Sequence, residues 1–216
     1  MRTILVIITL LILSSTSQAQ KLVAVGDSIT VKRGSYIDIL EGQKFAKGKK
    51  ASYNLFGQLR SALATNPTHV IVFVGINNPM SVYGCRDNWE VSLINDLKRM
   101  YAMIRKKKAK VIGITLLPAM KTWRNHYSLC PPILLRIPKS TNCCASIERR
   151  KRRNPNRIYD KMIQVNDFIM NNADIPIDNS DMWNKRGILK RYDADGIHLN
   201  NTAHRHLANK IRKKIQ

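Results

Sequence analysis

The chain has 216 residues, of which 44% are hydrophobic and 6% aromatic. That length fits a single domain, and the composition excludes a disordered or fibrous protein. The formal net charge is +23 at pH 7, from 37 Lys and Arg against 14 Asp and Glu. Such a charge favours anionic partners such as phospholipid headgroups, acidic polysaccharide or nucleic acid, and it equally describes a solvated basic surface.

Residues 1–19 have the pattern of a secretory signal peptide. Arg2 gives a positive start, an apolar run follows at 4–13, and Ser17 and Ala19 are small residues suited to cleavage before Gln20. The apolar run is half of the ~20 residues that a membrane-spanning helix needs, which disfavours a membrane anchor. We therefore expect an exported protein, periplasmic or extracellular, whose mature chain has no membrane span.

Apolar runs and helical periodicities alternate along the rest of the chain. Short β-branched runs predict strands, and apolar residues at intervals of three or four predict helices. The predicted elements are, in chain order, a strand at 21–26, a helix at 35–46, a strand at 51–55, a helix at 58–64, a strand at 69–75, a helix at 89–107, a strand at 110–117, a helix at 157–171, a strand at 175–177 and a helix at 201–214. This alternation predicts an α/β fold with a parallel sheet covered by helices on both faces.

Residues 119–155 interrupt the alternation and hold three of the four cysteines. In an exported protein an even set of cysteines favours disulfides. A bond between the adjacent Cys143 and Cys144 would be strained, so we expect Cys85 and Cys130 to be joined separately to these two, in either of two pairings. We interpret 119–155 as a basic insertion after the fourth strand that overhangs the site or only stabilises the fold.

Polar residues after the predicted strands are where chemistry is expected, because ligands of parallel sheets bind beyond the carboxyl ends of the strands. Ser28 follows the first strand and is a candidate nucleophile. Asp195 precedes His198 by three residues, so its carboxylate can reach Nδ1–H, fix the tautomer and leave Nε2 to take the serine proton. Asp193 is a rival carboxylate, with a structural role the better interpretation.

Two further residues are candidate donors to an oxyanion. Asn77 follows the third strand and can direct its side-chain NH₂ at a developing negative charge. Gly57 follows the second predicted strand and can present a bare backbone N–H at close approach. Each of these residue types is also common in turns and helix caps, so neither is specific alone.

In combination these pieces resemble the four sequence blocks of the SGNH/GDSL hydrolases. The matching segments are VGDSIT at 25–30, NLFG at 54–57, GINN at 75–78 and DGIH at 195–198. The resemblance spans nearly the whole mature chain. It implies one domain at 20–216, a three-layer α/β/α sandwich of flavodoxin-like type with a central parallel sheet of about five strands.

The same resemblance implies a serine hydrolase with Ser28 as nucleophile, His198 as base and Asp195 as the base's partner. The N–H groups of Ser28 and Gly57 and the side chain of Asn77 would form the oxyanion hole. The sequence departs from the family pattern at Asn78, where the family commonly has Asp. It also departs after Gly57, where Gln58 and Leu59 stand in place of small residues.

We therefore expect an exported serine esterase that removes O-acetyl groups from a carbohydrate or cell-envelope polymer. The alternatives are a lysophospholipase or thioesterase, and a catalytically idle cationic module that binds an anionic polymer or lipid. A binding module would have no reason to keep the serine, asparagine, aspartate and histidine together. Nucleic acid is not expected as a partner, because aromatics are not interleaved with the basic runs.

No cofactor and no metal are expected. The cysteines have no CxxC spacing, which argues against a zinc site. His204 and His206 are two residues apart on a predicted helix, where side chains at i and i+2 point away from each other. The expected enzyme is therefore metal-free.

Overall fold

The structure, a computed structural model, describes residues 20–80, 88–119 and 155–216. Its elements in chain order are β1 (Leu22–Gly26), α1 (Ser28–Val31), α2 (Tyr36–Ile39), β2 (Gln43–Ala46), α3 (Phe56–Ala64), β3 (His69–Phe73), α4 (Trp89–Lys106), β4 (Lys110–Ile114), α5 (Pro155–Asn172), β5 (Ile175–Ile177), β6 (Trp183–Asn184), β7 (Gly187–Ile188) and α6 (Asn201–Ile215). Short 3₁₀ turns lie at Ser52–Leu55, Asn78–Met80 and Ser180–Met182.

Five strands form one parallel sheet in the order β2-β1-β3-β4-β5. In β1, Val25 pairs with Phe45 of β2 on one side and with Val72 of β3 on the other. The chain therefore moves outward from β1 to the edge at β2 and then returns to continue on the opposite side. This reversal between β1 and β3 is the point at which sheets of this kind bind their ligands.

Helices cover both faces of the sheet. On one face α2 packs against α6, and on the other α3, α4 and α5 pack side by side. All five residues of β1 are buried, as are four of the five in β3 and in β4. Because these strands are enclosed on both faces, their sequences are nearly continuous apolar runs. The predicted α/β fold with a five-stranded parallel sheet is confirmed.

Two element predictions between residues 35 and 55 are wrong. The helix ends at Ile39, because Glu41 adopts a left-handed conformation with φ of 57° and Gly42 follows it. The chain then enters the edge strand β2, which the sequence analysis assigned to the helix. The predicted strand at 51–55 is instead a 3₁₀ turn that runs directly into α3.

The end of β1 is unusually tight. A Cβ atom on Gly26 would stand 3.0 Å from the carbonyl oxygen of Phe73 and 2.0 Å from Oγ1 of Thr30. The missing side chain therefore lets α1 begin only two residues after the strand, close against β3. Ser28 is the first residue of that helix.

Several predictions fall outside the described residues. These are the signal peptide at 1–19, the disulfides of Cys85, Cys130, Cys143 and Cys144, and nearly all of the insertion at 119–155. They stay predictions. In the parts of the chain that the structure describes, no helix has the length and apolar character needed to cross a membrane.

Candidate active site

Ser28 is held at the carboxyl end of β1 by the residue before it. The buried carboxylate of Asp27 caps α1 by accepting a hydrogen bond from the N–H of Ile29 at 3.1 Å. The backbone N–H of Gly75, two residues beyond β3, also stabilises this carboxylate. Asp27 therefore ties the turn that carries Ser28 to the neighbouring strand.

Burial raises the pKa of Asp27 to about 7. The loss of solvent around the carboxylate is the main cause of the raised pKa, and the backbone N–H groups of Ile29, Asp27 and Gly75 and the nearby imidazole of His198 oppose it. The residue that precedes Ser28 in the chain is therefore a buried carboxyl group with a raised pKa.

His198 and Asp195 lie opposite Ser28 and form a chain of hydrogen bonds with it. Nε2 of His198 is 3.1 Å from Oγ of Ser28, and Nδ1 is 2.7 Å from Oδ2 of Asp195. Because an ionised carboxylate can only accept, Nδ1 carries the proton and Nε2 of the neutral ring is free to accept one from the serine. This is the arrangement that the sequence analysis predicted for the three residues.

Asp195 is kept ionised by its contacts. Partial burial raises the pKa of Asp195, but hydrogen bonds from the side chain and N–H of His198 and from the N–H of Ile197 outweigh it, so the pKa lies below its usual range. The two backbone N–H groups reach Oδ1 at 2.8 and 3.1 Å, which leaves Oδ2 for the imidazole. The negative charge faces the ring that must become positive during proton transfer.

Asp193 has the structural role predicted for it. Its Oδ1 accepts hydrogen bonds from the N–H groups of Asp195 and Gly196, at 3.0 and 2.6 Å. Asn200 caps α6 and donates to the carbonyl of Asp193 at 3.3 Å, and Lys32 donates to the carbonyl of Leu199 at 3.1 Å. The loop that carries His198 is therefore fixed at both of its ends.

Asn77 is half-buried, and its Nδ2 donates to the carbonyl of Lys50 at 3.2 Å. It forms part of the wall of a cavity of about 320 Å³. The other residues that line this cavity are Lys49, Ala51, Tyr53, Asn54 and Met80.

The departure at Asn78 has a structural explanation. Asn78 is fully buried, accepts a hydrogen bond from the N–H of Ser52 at 3.0 Å, and donates to the hydroxyl of Ser52 at 2.8 Å. That hydroxyl in turn donates to the buried carboxylate of Asp96 at 2.6 Å. Asp96 of α4 is the one carboxylate of this network. An aspartate at position 78 would be a second carboxylate and could not donate to the hydroxyl of Ser52, whereas the amide of Asn78 does.

The predicted role of Gly57 finds no support in the geometry. Gly57 is exposed in the first turn of α3, and its Cβ position has no neighbour within 4 Å beyond its own helix and chain neighbours. The glycine beside the serine is Gly48, whose Cβ position is 3.9 Å from Cβ of Ser28. Gly48 lies in the turn after β2, so the structure places Gly48, and not Gly57, next to Ser28.

The backbone around Gly48 explains how it reaches the site. The N–H of Lys47 donates to the carbonyl of Gly26 at 3.1 Å, which extends the pairing of β2 with β1 by one residue. The N–H groups of Ser28 and Gly48 have no hydrogen-bond acceptor among the described residues. Two unpaired donors thus stand on neighbouring segments at the carboxyl end of β1.

The structure also separates the two histidines of α6. Nδ1 of His204 accepts from the N–H of Tyr36 at 3.3 Å, whereas Nε2 of His206 bonds Asp181 at 2.7 Å. They face different neighbours. The described residues contain no group of three or more His, Cys, Asp or Glu placed to hold a metal ion.

Comparison with known proteins identifies the family to which the chain belongs. The sequence pattern of the GDSL-like lipase/acylhydrolase family matches residues 24–206. No curated protein is significantly similar to the chain over its sequence.

Among solved structures, a GDSL-like lipase from Bacteroides thetaiotaomicron is similar with a TM-score of 0.64 at 16% identity, over 91% of this chain and 87% of that one. An acetyl xylan esterase is similar with a TM-score of 0.59 at 19% identity, over 91% and 100% of the two chains. An acetyl-xylooligosaccharide esterase from Geobacillus has a TM-score of 0.56 at 15% identity, over 91% and 94%. The chain belongs to the GDSL-like lipase/acylhydrolase family and is a serine ester hydrolase.

Proposed function

We propose that the chain hydrolyses acetyl esters of a carbohydrate through Ser28, His198 and Asp195 acting as a catalytic triad. The observation that carries the proposal is the continuous chain of contacts from Oγ of Ser28 through both ring nitrogens of His198 to Asp195, at 3.1 and 2.7 Å. These distances suit transfer of the serine proton to a base that is already oriented.

In the first half of the reaction, Oγ of Ser28 attacks the ester carbonyl carbon while its proton passes to Nε2 of His198. The carbonyl oxygen becomes an oxyanion. When the tetrahedral intermediate collapses, the bond to the leaving alcohol breaks, and the alcohol oxygen takes the proton from Nε2. Asp195 stabilises the imidazolium that exists between these two proton transfers.

In the second half, water attacks the acyl group on Ser28 and gives a proton to the same nitrogen. Collapse of the second intermediate breaks the acyl–Oγ bond, returns the proton to Ser28 and releases the free acid. Negative charge develops twice on the same oxygen, so donors fixed before the reaction lower both barriers. The unpaired N–H groups of Ser28 and Gly48 are our assigned donors, with the second hydrogen of the Asn77 amide as a third.

Two features support a short acyl group on a sugar. Two structural neighbours are named as esterases of acetylated xylan or xylooligosaccharide, and the cavity beside Asn77 has an aromatic ring, an amide and an amine in its wall. A second cavity, with a larger volume of about 610 Å³ and with Leu63, Ala64 and Met103 in its wall, lies between the C-terminal ends of α3 and α4. That position is at the amino ends of the strands, away from Ser28, so it offers no room to the acyl chain of a bound ester.

The direct test is hydrolysis by the purified protein of 4-nitrophenyl acetate, butyrate and palmitate, of acetylated xylan and of lysophosphatidylcholine. We expect the acetyl esters to be hydrolysed fastest and Ser28→Ala to abolish turnover. Preference for palmitate or lysophosphatidylcholine would favour the lipid-hydrolase alternative. Binding of acidic polymers without turnover of any ester would favour the idle binding module.

We also propose that the protein acts outside the cytoplasm, because 1–19 have the signal-peptide pattern and all cysteines occur in the remaining chain. N-terminal sequencing of exported protein should start at Gln20. Peptide mapping without reduction should find two disulfides that join Cys85 and Cys130 to Cys143 and Cys144. Four free thiols in the native protein, or retention of residues 1–19, would contradict this part of the proposal.

A further inference from the structure

The turn after β2 contains a left-handed residue, Lys49, that does not end a helix. In the described chain, four non-glycine residues have positive φ: Glu41, Lys49, Asn66 and Lys108. Three of them directly follow the C-termini of α2, α3 and α4, where a left-handed residue ordinarily ends a helix. Lys49 instead follows a strand, with φ of 57°. A left-handed conformation is unfavourable for a residue with a Cβ atom, and such strain is often found where a turn positions functional groups.

The turn places three functional groups beside one another. Gly48, before Lys49, lies against Ser28, and the carbonyl of Lys50, after it, accepts the hydrogen bond from Asn77. Lys49 itself lines the cavity that Asn77 also lines. The lysine therefore lies between the nucleophile and the amide that we assign to the oxyanion.

The ammonium group of Lys49 has no neutralising partner within residues 20–80, 88–119 and 155–216. Among the described residues, no carboxylate or other acceptor contacts its ammonium group, and no acidic residue lines the cavity. The neighbouring Lys47 and Lys50 have the same sign. A ligand with its own negative charge would fit this cavity better than a neutral one.

The rest of the wall suits a sugar ring. Tyr53 supplies an aromatic ring, and the exposed amide of Asn54 can both donate and accept hydrogen bonds. A volume of about 320 Å³ matches the lower end of small-ligand sites.

We propose that this cavity is an anion subsite in which Lys49 binds a carboxylate of the substrate, so that the enzyme prefers acetyl esters of acidic oligosaccharides over those of neutral ones. The inference rests on the proposed esterase function and narrows its substrate class. It also gives part of the basic charge a specific function at the site.

The test compares acetylated oligogalacturonate with acetylated xylooligosaccharide, with 4-nitrophenyl acetate as a small neutral ester. The variants are Lys49→Asn, which removes the charge but tolerates a left-handed backbone, and Lys49→Arg, which keeps the charge. Lys108→Asn is the matched control, because Lys108 has nearly the same φ of 59° and is also exposed, but ends α4 at the opposite end of the strands. The melting temperature of each variant checks that it is folded.

We expect the ratio of kcat/KM for the acidic to that for the neutral oligosaccharide to fall about tenfold in Lys49→Asn, the size of effect of one charge-assisted hydrogen bond. The ratio should be kept in Lys49→Arg and in Lys108→Asn, and added salt should lower it in the parent enzyme. An unchanged ratio in Lys49→Asn, or equal loss on both oligosaccharides, would overturn the anion subsite and leave Lys49 a role in the turn alone. Failure of the parent enzyme on every ester, 4-nitrophenyl acetate included, would instead contradict the proposed function.

Discussion

The part of the chain that the structure describes contains two histidine–aspartate pairs with the same separation and the same exposure of the ring. Nδ1 of His198 is 2.7 Å from Oδ2 of Asp195, and Nε2 of His206 is 2.7 Å from Oδ2 of Asp181. Both imidazoles are 33% exposed. A search for a hydrogen-bonded histidine and carboxylate would return both with equal merit, so the difference between them must come from their other neighbours.

The two carboxylates are stabilised by different groups. Asp195 accepts hydrogen bonds from backbone N–H groups of its own loop, which are neutral and fixed. Asp181 instead forms an ion pair with Lys210, whose charge neutralises it. Partial burial raises the pKa of Asp181, but the hydrogen bonds from Lys210 and His206 outweigh it, and the pKa lies below its usual range.

The two rings also face different atoms. Nε2 of His198 is directed at Ser28, but Nε2 of His206 is the nitrogen bonded to Asp181, and Tyr192 stacks on the ring with centroids 5.3 Å apart. The histidine of such a pair is a candidate base only when the ring nitrogen that does not bond the aspartate contacts a nucleophile. The pair on α6 instead fastens that helix to the 3₁₀ turn at Ser180–Met182.

Removing the nucleophile should give the largest contrast between the two regions. Ser28→Ala should lower kcat by about 10⁴ to 10⁶, the usual cost of losing a triad member, and should abolish labelling by a fluorophosphonate. The control is Ser180→Ala, because Ser180 is exposed beside the second pair and its hydroxyl donates to Asp178. Equal turnover by the parent enzyme and Ser28→Ala would show that another residue performs the attack.

Replacing each histidine tests whether the second nitrogen makes the difference. His198→Gln should lower kcat by about 10⁴, because glutamine cannot take the proton of Ser28. His206→Gln should leave kcat within about twofold, since its partner Asp181 keeps Lys210. Steady-state kinetics on 4-nitrophenyl acetate measures both. Comparable losses in the two variants would contradict our distinction between the pairs.

Replacing each aspartate should give a smaller contrast. In Asp195→Asn the Oδ1 atom can still accept from the loop, but the amide NH₂ would face Nδ1 of His198 and favour a proton on Nε2, the wrong tautomer. We expect a loss of about 10³ in kcat with little change in KM. Asp181→Asn should instead show only a small change in melting temperature. A loss of the same size there would indicate that the second pair acts in catalysis.

A third histidine, His204, forms no hydrogen bond with a carboxylate among the described residues, and it should affect stability and not the catalytic rate. His204 is fully buried, and Nε2 has no hydrogen-bond partner among the described residues. Burial lowers its pKa to about 4, and the charge of Lys32 adds to the effect. Between pH 6.5 and 4 the unfolded chain therefore gains a proton at this residue that the folded chain does not, so folding stability falls as the pH is lowered.

The expected size is up to about 3 kcal/mol across that range, at ~1.4 kcal/mol for each pKa unit. His204→Gln keeps an acceptor for the N–H of Tyr36 but does not titrate, so its stability should fall less on acidification. Denaturant unfolding of both proteins at pH 7 and at pH 4.5 measures the difference. Asp27 has the opposite effect, because its raised pKa lowers folding stability as the pH rises toward 7. Both proteins contain Asp27, so its contribution cancels when their stabilities are compared. Parallel stability profiles would contradict the assignment.

The sequence predicted the three interior strands and the edge strand β5, but not the edge strand β2. Strands β1, β3 and β4 are buried on both faces, and such strands leave a continuous apolar run in the sequence. Strand β2 is only half-buried, and two of its four residues are Gln43 and Lys44. An edge strand needs no apolar run, so its sequence could be taken for the end of an amphipathic helix.

The same error affected the choice of candidate site residues. Ser28 and the pair of Asp195 and His198 each lie in one contiguous segment, so local spacing was enough to propose them. Gly48 reaches the nucleophile only because β2 pairs with β1 in a particular register. With the strand misplaced along the chain, Gly57 was the nearer glycine to its predicted end. A glycine between lysines just after a polar strand was the signal that could have identified Gly48.

The dependence of Gly48 on an edge strand has a consequence for how the enzyme loses activity. Strand β2 has one neighbour in the sheet, so it can detach by breaking one ladder of hydrogen bonds while β1, β3 and β4 stay paired. Such partial opening costs less free energy than global unfolding. Amide hydrogens of β2 should therefore exchange with solvent faster than those of β3. On heating, esterase activity should disappear several degrees before the circular dichroism of the remaining sheet and helices changes.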